Sequence, residues 1–425
     1  MFEMPGNPDD AMREVVDLMR ALSAETEPQA AVRLYRDRVR RLIPLDATIA
    51  VSRRDLTAPW YRITRASVWK DEINPWTQKD RLPLHDRGLL GELIYRDEPT
   101  IINDLNPDPA DPAYELLTGF GSLFAQPQYD QGVAKNMVIA LRSDRNAYDL
   151  RTAPTLLWLT NLFGRATQNL VLAKQLAEAY EIVDRELQAV SQIQRALLPV
   201  VLPDVPGLSL SAHYQTSKQA GGDYYDFFPQ RDGTLGILIA DVSGHGTPAA
   251  VLMAITHTMA HLAPEASSSP GALLGYLNRH LADSYQRTGT GFVTAFYAIY
   301  DPRARSLRFA SAGHNPPRIR RGDGAVEVLD AARDVPLGVL GDTEYAEASA
   351  SLRAGDALVL YTDGITEARN REGQLFGEFR LDRTIERAAG GSDGLVAGIL
   401  DEVRRFTGDR AADDDRTLVV ASALG

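Results

Sequence analysis

The chain of 425 residues contains no cysteine. That absence removes disulfides, thiolate-bound metals, covalently attached tetrapyrroles and every enzyme built on a cysteine nucleophile. Long apolar runs are missing too: no window approaches the ~18 consecutive apolar residues of a spanning helix, so no membrane insertion is expected. Positive charge is in deficit, with 57 acidic against 45 basic side chains and a net charge of −12. Such a surface does not favour phosphate backbones, and no nucleic-acid partner is expected. Met1 to Arg20 lacks a basic start followed by an apolar core, so no secretory signal is expected and the reading is a cytoplasmic protein. What remains is ordinary globular composition, 44% hydrophobic and 24% charged, in a chain long enough for two or three domains.

Three regions follow one another, and together they predict an α+β multidomain protein. From Asp10 to Ile43 apolar residues recur at three and four, predicting helix. Short strand-like runs follow at Thr48–Val51, Tyr61–Trp69, Thr100–Ile102, Ser122–Ala125 and Lys135–Leu141, with a loop at Gln126–Gln131 and a short helix at Leu89–Tyr95. The run RGLLGELIYRDEPTIINDLNPDP and the strand, loop and strand after it resemble a GAF sensor domain, assigned to residues 1–155. The resemblance implies an α/β/α layered domain and an unknown small-molecule or protein input.

Residues 156–198 form a linker without proline, broken by the single glycine Gly164. Steps of three and four through Leu159, Leu162, Ala166, Asn169, Ala173, Leu176, Tyr180, Val183, Leu187, Val190, Gln194 and Leu197 make a heptad seam that predicts a coiled-coil homodimer. Asn169 and Gln194 are its polar, register-setting candidates. A helix packed on its own domains is the competing reading. Pro199 and Pro203 end the helix.

In residues 199–425 the informative side chains are aspartates at the edges of apolar strands. Asp241 ends Gly236–Ala240, Asp363 ends Leu358–Thr362, Asp414 and Asp415 precede Thr417–Val420, and Asp223 follows Gly221-Gly222. Ionised carboxylates beside buried strand are costly unless paired or bound to a cation. Several converging without Lys or Arg repel one another, and a divalent metal resolves the conflict. All-oxygen donors favour Mg²⁺ or Mn²⁺. Taken alone, Asp363-Gly364 is a turn more often than a ligand.

The ordered segments QRALLP, GGDYYDFF, DVSGHG, FVTAFY, SAGHNPP, PLGVL, GDALVLYTDGITEARN and DDRTLVV closely resemble the stage-II-sporulation-E-like branch of PP2C (PPM) metal-dependent serine/threonine phosphatases. The resemblance implies an αββα sandwich with two divalent cations, Mn²⁺ or Mg²⁺. It makes Asp223 and Asp241 the catalytic pair acting through metal-activated water. Asp363, Asp414 and the backbone carbonyl of Val242 complete the ligand set. Asp415 is the alternative to Asp414, and Asp413 makes the register worth testing. Hydroxide formed from the shared water would attack phosphorus in line with the leaving oxygen. Lys218 is the cation nearest the site in sequence and the candidate phosphate contact, with a solvated surface lysine as the other reading. His245 and His314 are read as structural. The implied substrate is a phosphorylated regulatory protein, an anti-sigma-factor antagonist. A catalytically silent scaffold of a partner-switching pathway and a phosphatase of a small metabolite are the alternatives.

Overall fold

Alternating apolar strands and helices with one apolar face assemble the chain into two units, Met1–Tyr180 and Glu181–Gly425. The computed structural model describes residues 8–42, 45–71, 73–151, 153–244, 246–263, 266–285 and 291–425.

The first unit contains helices α1 (Pro8–Ala24) and α2 (Pro28–Leu42), strands β1 (Ala47–Ser52), β2 (Tyr61–Ala66) and β3 (Leu84–His85), and helix α3 (Leu89–Arg96). It continues with β4 (Thr100–Ile102), α4 (Tyr114–Leu117), β5 (Ser122–Asp130) and β6 (Val133–Arg142), and it holds the first part of the long helix α5 (Ala153–Leu197). The strands form one antiparallel sheet in the order β3-β2-β1-β6-β5-β4. Period-two alternation divides its side chains between two cores. Leu123, Ala125, Ile139 and Leu141 pack with Leu90, Leu93 and Ile94 of α3 on one face, whereas Phe124 and Ala140 pack with Leu18 and Leu156 on the other.

The expected loop at Gln126–Gln131 is a strand instead. β5 runs on to Asp130, opposite Val133, leaving a two-residue turn at Gln131 (φ 53°) and Gly132 (φ 82°). Two left-handed residues give a hairpin turn whose twist suits the flanking strands. Gly132 supplies that conformation cheaply, and the polar run ahead of it hid the strand.

Helix α5 is continuous over 45 residues. Within the first unit Leu172, Leu176 and Tyr180 are exposed, and within the second so are Ile182, Val183 and Ile193. Gln194 is not a free seam position: it is buried and bonds Gly221 in both directions, accepting the Gly221 N–H at 3.0 Å and donating to its carbonyl. The neighbouring Leu198 joins the core of the second unit.

That unit carries β7 (Leu208–Gln215), β8 (Tyr224–Pro229), β9 (Leu235–Val242), α6 (Thr247–His261), α7 (Pro270–Tyr285), β10 (Val293–Asp301) and β11 (Ser306–Ala312). After these come β12 (Arg318–Arg320), β13 (Val326–Val328), β14 (Arg333–Asp334), β15 (Ala348–Ser351), β16 (Ala357–Tyr361), α8 (Asp363–Thr366), α9 (Gly377–Arg387), α10 (Ser392–Thr407) and β17 (Arg416–Ala423). One sheet runs β14-β11-β10-β9-β8, with β15 on β11, and the other runs β13-β12-β16-β17-β7.

Leu358 and Leu360 of β16 and Val419 and Ala421 of β17 face the first sheet's Ile237, Ile239, Phe296 and Phe309 in a shared core. The alternate residues Val359, Tyr361, Leu418 and Val420 pack under Leu381 and Ile385 of α9 and Leu395 and Ile399 of α10. Helices α6 and α7 join the first sheet through Leu252, Met253, Leu273 and Leu277. The layers are therefore helix, sheet, sheet, helix. Arg318, 1% exposed, ties α9 to the second sheet through Glu378 at 2.9 Å and Asp382 at 2.8 Å. A buried guanidinium needs such paired carboxylates.

Candidate active site

Each candidate aspartate sits at or beside one end of a strand. Asp223 immediately precedes β8, and Asp241 lies in the last turn of β9, both in the first sheet. Asp363 starts α8 just after β16, and Asp414 and Asp415 precede β17, all at the second sheet. Burial of Leu235–Ala240 and Ala357–Tyr361 fixes these strands, so packing of the two sheets brings the four carboxylates to one end of the sandwich.

Asp223 is 1% exposed. Its Oδ2 accepts the hydroxyls of Thr362 at 2.7 Å and Thr417 at 2.6 Å. Burial pushes its pKa up, the two threonines oppose that, and Asp415 and Asp363 push it further up. Asp241 is raised well above the carboxylate range, first by burial and then by Asp223, Asp363 and Asp414, and it shares a hydrogen bond with Asp223. Asp363 is pushed up to about 6 by burial and by Asp414 and Glu367, against the Gly364 N–H. Burial and the other carboxylates, not a Lys or Arg, are the main influences on these three. No three of the four aspartates bring ligand oxygens within 4.8 Å of one another. Asp223 and Asp241 share a hydrogen bond, while Asp363 and Asp414 act on Asp241 through their charge.

That arrangement fits hard divalent cations. The donors are all oxygen, and with Asp223 buried and Asp241 and Asp363 half-buried their mutual repulsion is relieved by divalent cations. Val242 adds a backbone carbonyl at the same place, since a Cβ on Gly222 would come within 2.8 Å of it. Gly364 is equally constrained: a Cβ there would collide with the Asp415 carbonyl, so the Asp363-Gly364 pair backs directly onto the Asp414-Asp415 segment.

The two adjacent aspartates differ. Asp415 is 3% exposed, with Oδ1 accepting the Ser217 N–H at 2.7 Å and Oδ2 accepting the Gly222 N–H at 2.7 Å. It is committed to holding the loop that carries Asp223. Asp414 is exposed and accepts the Asp415 N–H at 2.9 Å. Lys218 lies exposed in the loop between β7 and Asp223. His314 is buried, with Nδ1 2.9 Å from the Thr294 hydroxyl, and burial pulls its pKa down to about 4. His245 lies outside the described residues. The sequence reading missed Thr362, Thr417, Asp415's loop-holding role and Gln194. The threonines flank the aspartates in TDG and DRT, which was their only signal.

Residues 231–423 match the family model for stage II sporulation protein E (SpoIIE). The chain is 30% identical over 239 residues to phosphoserine phosphatase RsbU of Bacillus subtilis, covering 56% of this chain and 70% of that one. The chain belongs to the SpoIIE family. It is also 29% identical over 187 residues to phosphoserine phosphatase RsbP of Bacillus subtilis, covering 43% of this chain and 45% of that protein. The SiaA-PP2C domain of Pseudomonas aeruginosa matches over its whole length and 59% of this chain, at 24% identity and a TM-score of 0.52, which establishes the PP2C fold of the C-terminal unit. As a SpoIIE-family protein the chain is a phosphatase of the PP2C type, an enzyme class that uses Mg²⁺ or Mn²⁺. The family match begins after Asp223, whose place in the site rests on its contacts alone. No helix among the described residues is long and apolar enough to cross a membrane.

Proposed function

We propose that this SpoIIE-family enzyme is a signal-regulated protein phosphatase acting on phosphoserine or phosphothreonine of a regulatory protein, an anti-sigma-factor antagonist. The observation that carries the reading is the meeting of Asp223 and Asp241 from one sheet with Asp363 and Asp414 from the other, with burial and mutual repulsion the main influences on the first three. Asp223, Asp241, Asp363, Asp414 and the Val242 carbonyl would hold two Mg²⁺ or Mn²⁺ ions. Bound there, the ions acidify water and neutralise phosphoryl charge. The chain's own residues contribute the rest. Thr362 and Thr417 fix the rotamer of Asp223, and Asp415 fixes the backbone around it. Asp414, with its side chain exposed, is the better candidate ligand of its pair. Lys218 remains a candidate for the substrate phosphate as an exposed point charge.

The regulatory half of the reading joins a GAF-like domain in residues 1–155, a coiled-coil linker in 156–198 and the phosphatase domain in 199–425. Its support is the layered sheet of the first unit and the exposed apolar residues Leu172, Leu176, Tyr180 and Val183 on a continuous helix, a face suited to a second copy of the chain. Gln194 then connects that helix to the loop before Asp223. A phosphorylated partner-switching regulator is an intracellular substrate, so a cytoplasmic location goes with this reading.

The test is phosphate release from a phosphoserine-bearing antagonist protein, and from an aryl phosphate, with Mn²⁺ present. Release by the parent and background by Asp241→Asn is the expected result. Equal background from both would leave the silent scaffold as the reading.

A further inference from the structure

The strand that follows Asp223 and the helix that follows the Asp241 loop hold a second, chemically different group of side chains. Helix α6 contains two of the chain's 7 histidines, His257 and His261, one turn apart and therefore on one face. Opposite them on β8 stands Asp226, its side chain only 8% exposed. Asp226 Oδ2 lies 2.7 Å from His261 Nε2 and 3.5 Å from His257 Nδ1. One donor atom from each of the three residues falls within 4.8 Å of the others. Tyr224 also donates its hydroxyl to that oxygen at 2.6 Å and lies 3.2 Å from His257 Nδ1. Among the described residues the two histidines are the only ion-pair partners of Asp226.

We propose that Asp226, His257 and His261 form a structural site for a zinc-class transition-metal ion, separate from the all-carboxylate centre. Tetrahedral ligands bonded at about 2.0–2.1 Å lie roughly 3.3 Å apart, within the spread of separations seen here. Two imidazoles and one carboxylate are a donor set that suits Zn²⁺, whereas the carboxylate and carbonyl oxygens around Asp241 suit Mg²⁺ or Mn²⁺. The two sites therefore select different metals. Burial and the neighbouring His261 ring hold His257 below the usual imidazole range, against Asp226, which keeps it in the neutral form that a metal binds. His261 is half-exposed, at 47%, leaving a solvent path for entry and for a fourth ligand. An ion here would staple the last turn of α6 to β8. Both elements begin beside the catalytic aspartates, so the staple would hold the scaffold of the phosphatase site.

The test uses the full chain, stripped with chelator and then held in saturating Mg²⁺ while Co²⁺ is titrated in. One equivalent should produce the d–d absorption of four-coordinate cobalt, and one equivalent of Zn²⁺ should abolish it. His261→Gln keeps a hydrogen-bond donor toward Asp226 but removes the imidazole. Loss of a supporting residue alone costs 10- to 100-fold in metal affinity, so this variant should bind about 100-fold more weakly or worse. Asp241→Asn should titrate like the parent. Zn²⁺ should raise the thermal midpoint of the parent and not that of His261→Gln. The proposal is overturned if no cobalt band forms, if His261→Gln titrates like the parent, or if Asp241→Asn removes the band. None of these outcomes depends on phosphatase activity.

Discussion

Replacing Asp415 and Asp414 in turn separates a loop clamp from the proposed cation ligand one residue away. Asp415→Ala leaves the Ser217 and Gly222 N–H groups without their acceptor, along with the Ser217 hydroxyl at 3.2 Å. An unpaired buried donor costs about 1–3 kcal/mol, so two of them, one partly solvated, destabilise the domain by about 3 kcal/mol. Removing a negative charge from beside Asp223 offsets a little of that. For a unit of this size 1 kcal/mol corresponds to roughly 2–4 °C, so the thermal midpoint should fall by about 6–12 °C. Phosphatase activity should fall as well, because Gly222 precedes Asp223. Asp414 is exposed, and Asp414→Ala should change stability by no more than about 0.5 kcal/mol, while the Mn²⁺ concentration needed for half-maximal activity rises at least tenfold. Thermal unfolding without metal and a Mn²⁺ titration of phosphate release measure the two effects. If Asp414→Ala melts early, or Asp415→Ala keeps the parent midpoint and loses only Mn²⁺ affinity, the assignment of the two roles is wrong.

Gln194→Ala should weaken Mn²⁺ affinity and lower the unfolding free energy by about 1–3 kcal/mol, since Gly221 loses both of its partners; an unchanged Mn²⁺ titration would show that the helix end does not support the loop. His314, buried with its pKa pulled down to about 4 from the ordinary imidazole value of 6.5, binds fewer protons folded than unfolded between those values. Its contribution is therefore intact above pH 6.5 and disappears progressively as pH falls toward 4, reaching about 3 kcal/mol; denaturant melts of parent and His314→Gln should diverge over that window, the variant being the less acid-sensitive. Leu176→Glu combined with Val183→Glu should convert a dimer to a monomer in light scattering, with circular dichroism unchanged; a monomeric parent would remove the coiled-coil reading. Gly364→Ala places a methyl against the Asp415 carbonyl and should abolish phosphate release, and parent-like turnover would contradict the tight packing of the two segments.

Local patterning fixed much of this protein before any coordinates. The short continuous apolar runs Leu235–Ala240 and Ala357–Tyr361 specify strands, because a strand covered on both faces needs apolar side chains at every position. The aspartates bordering apolar strands, Asp241 and Asp363 at their ends and Asp223 and Asp414 ahead of their starts, were visible for the same reason. Two elements gave a weaker signal: β8 is buried but reads as an aromatic run without alternation, and α9 shows the core mainly Leu381 and Ile385 on a charged background. The far half of β5 stayed hidden because Gln126–Asp130 is a polar run with no hydrophobic signal, although it pairs with β6 up to the Gln131-Gly132 turn.

Only tertiary packing decided which carboxylates meet, because Asp223 and Asp415 stand 192 positions apart and their shared loop exists only when two sheets stack. The same holds for Gln194, which looks like a seam residue along the helix and becomes a clamp when Gly221 folds against it. The His257 and His261 spacing was legible on a predicted helix, but its acidic partner Asp226 comes from a strand that precedes it in sequence. Periodicity reports which face of an element is buried; it carries no information about what lies across the interface, and there the chemistry of this enzyme is assembled.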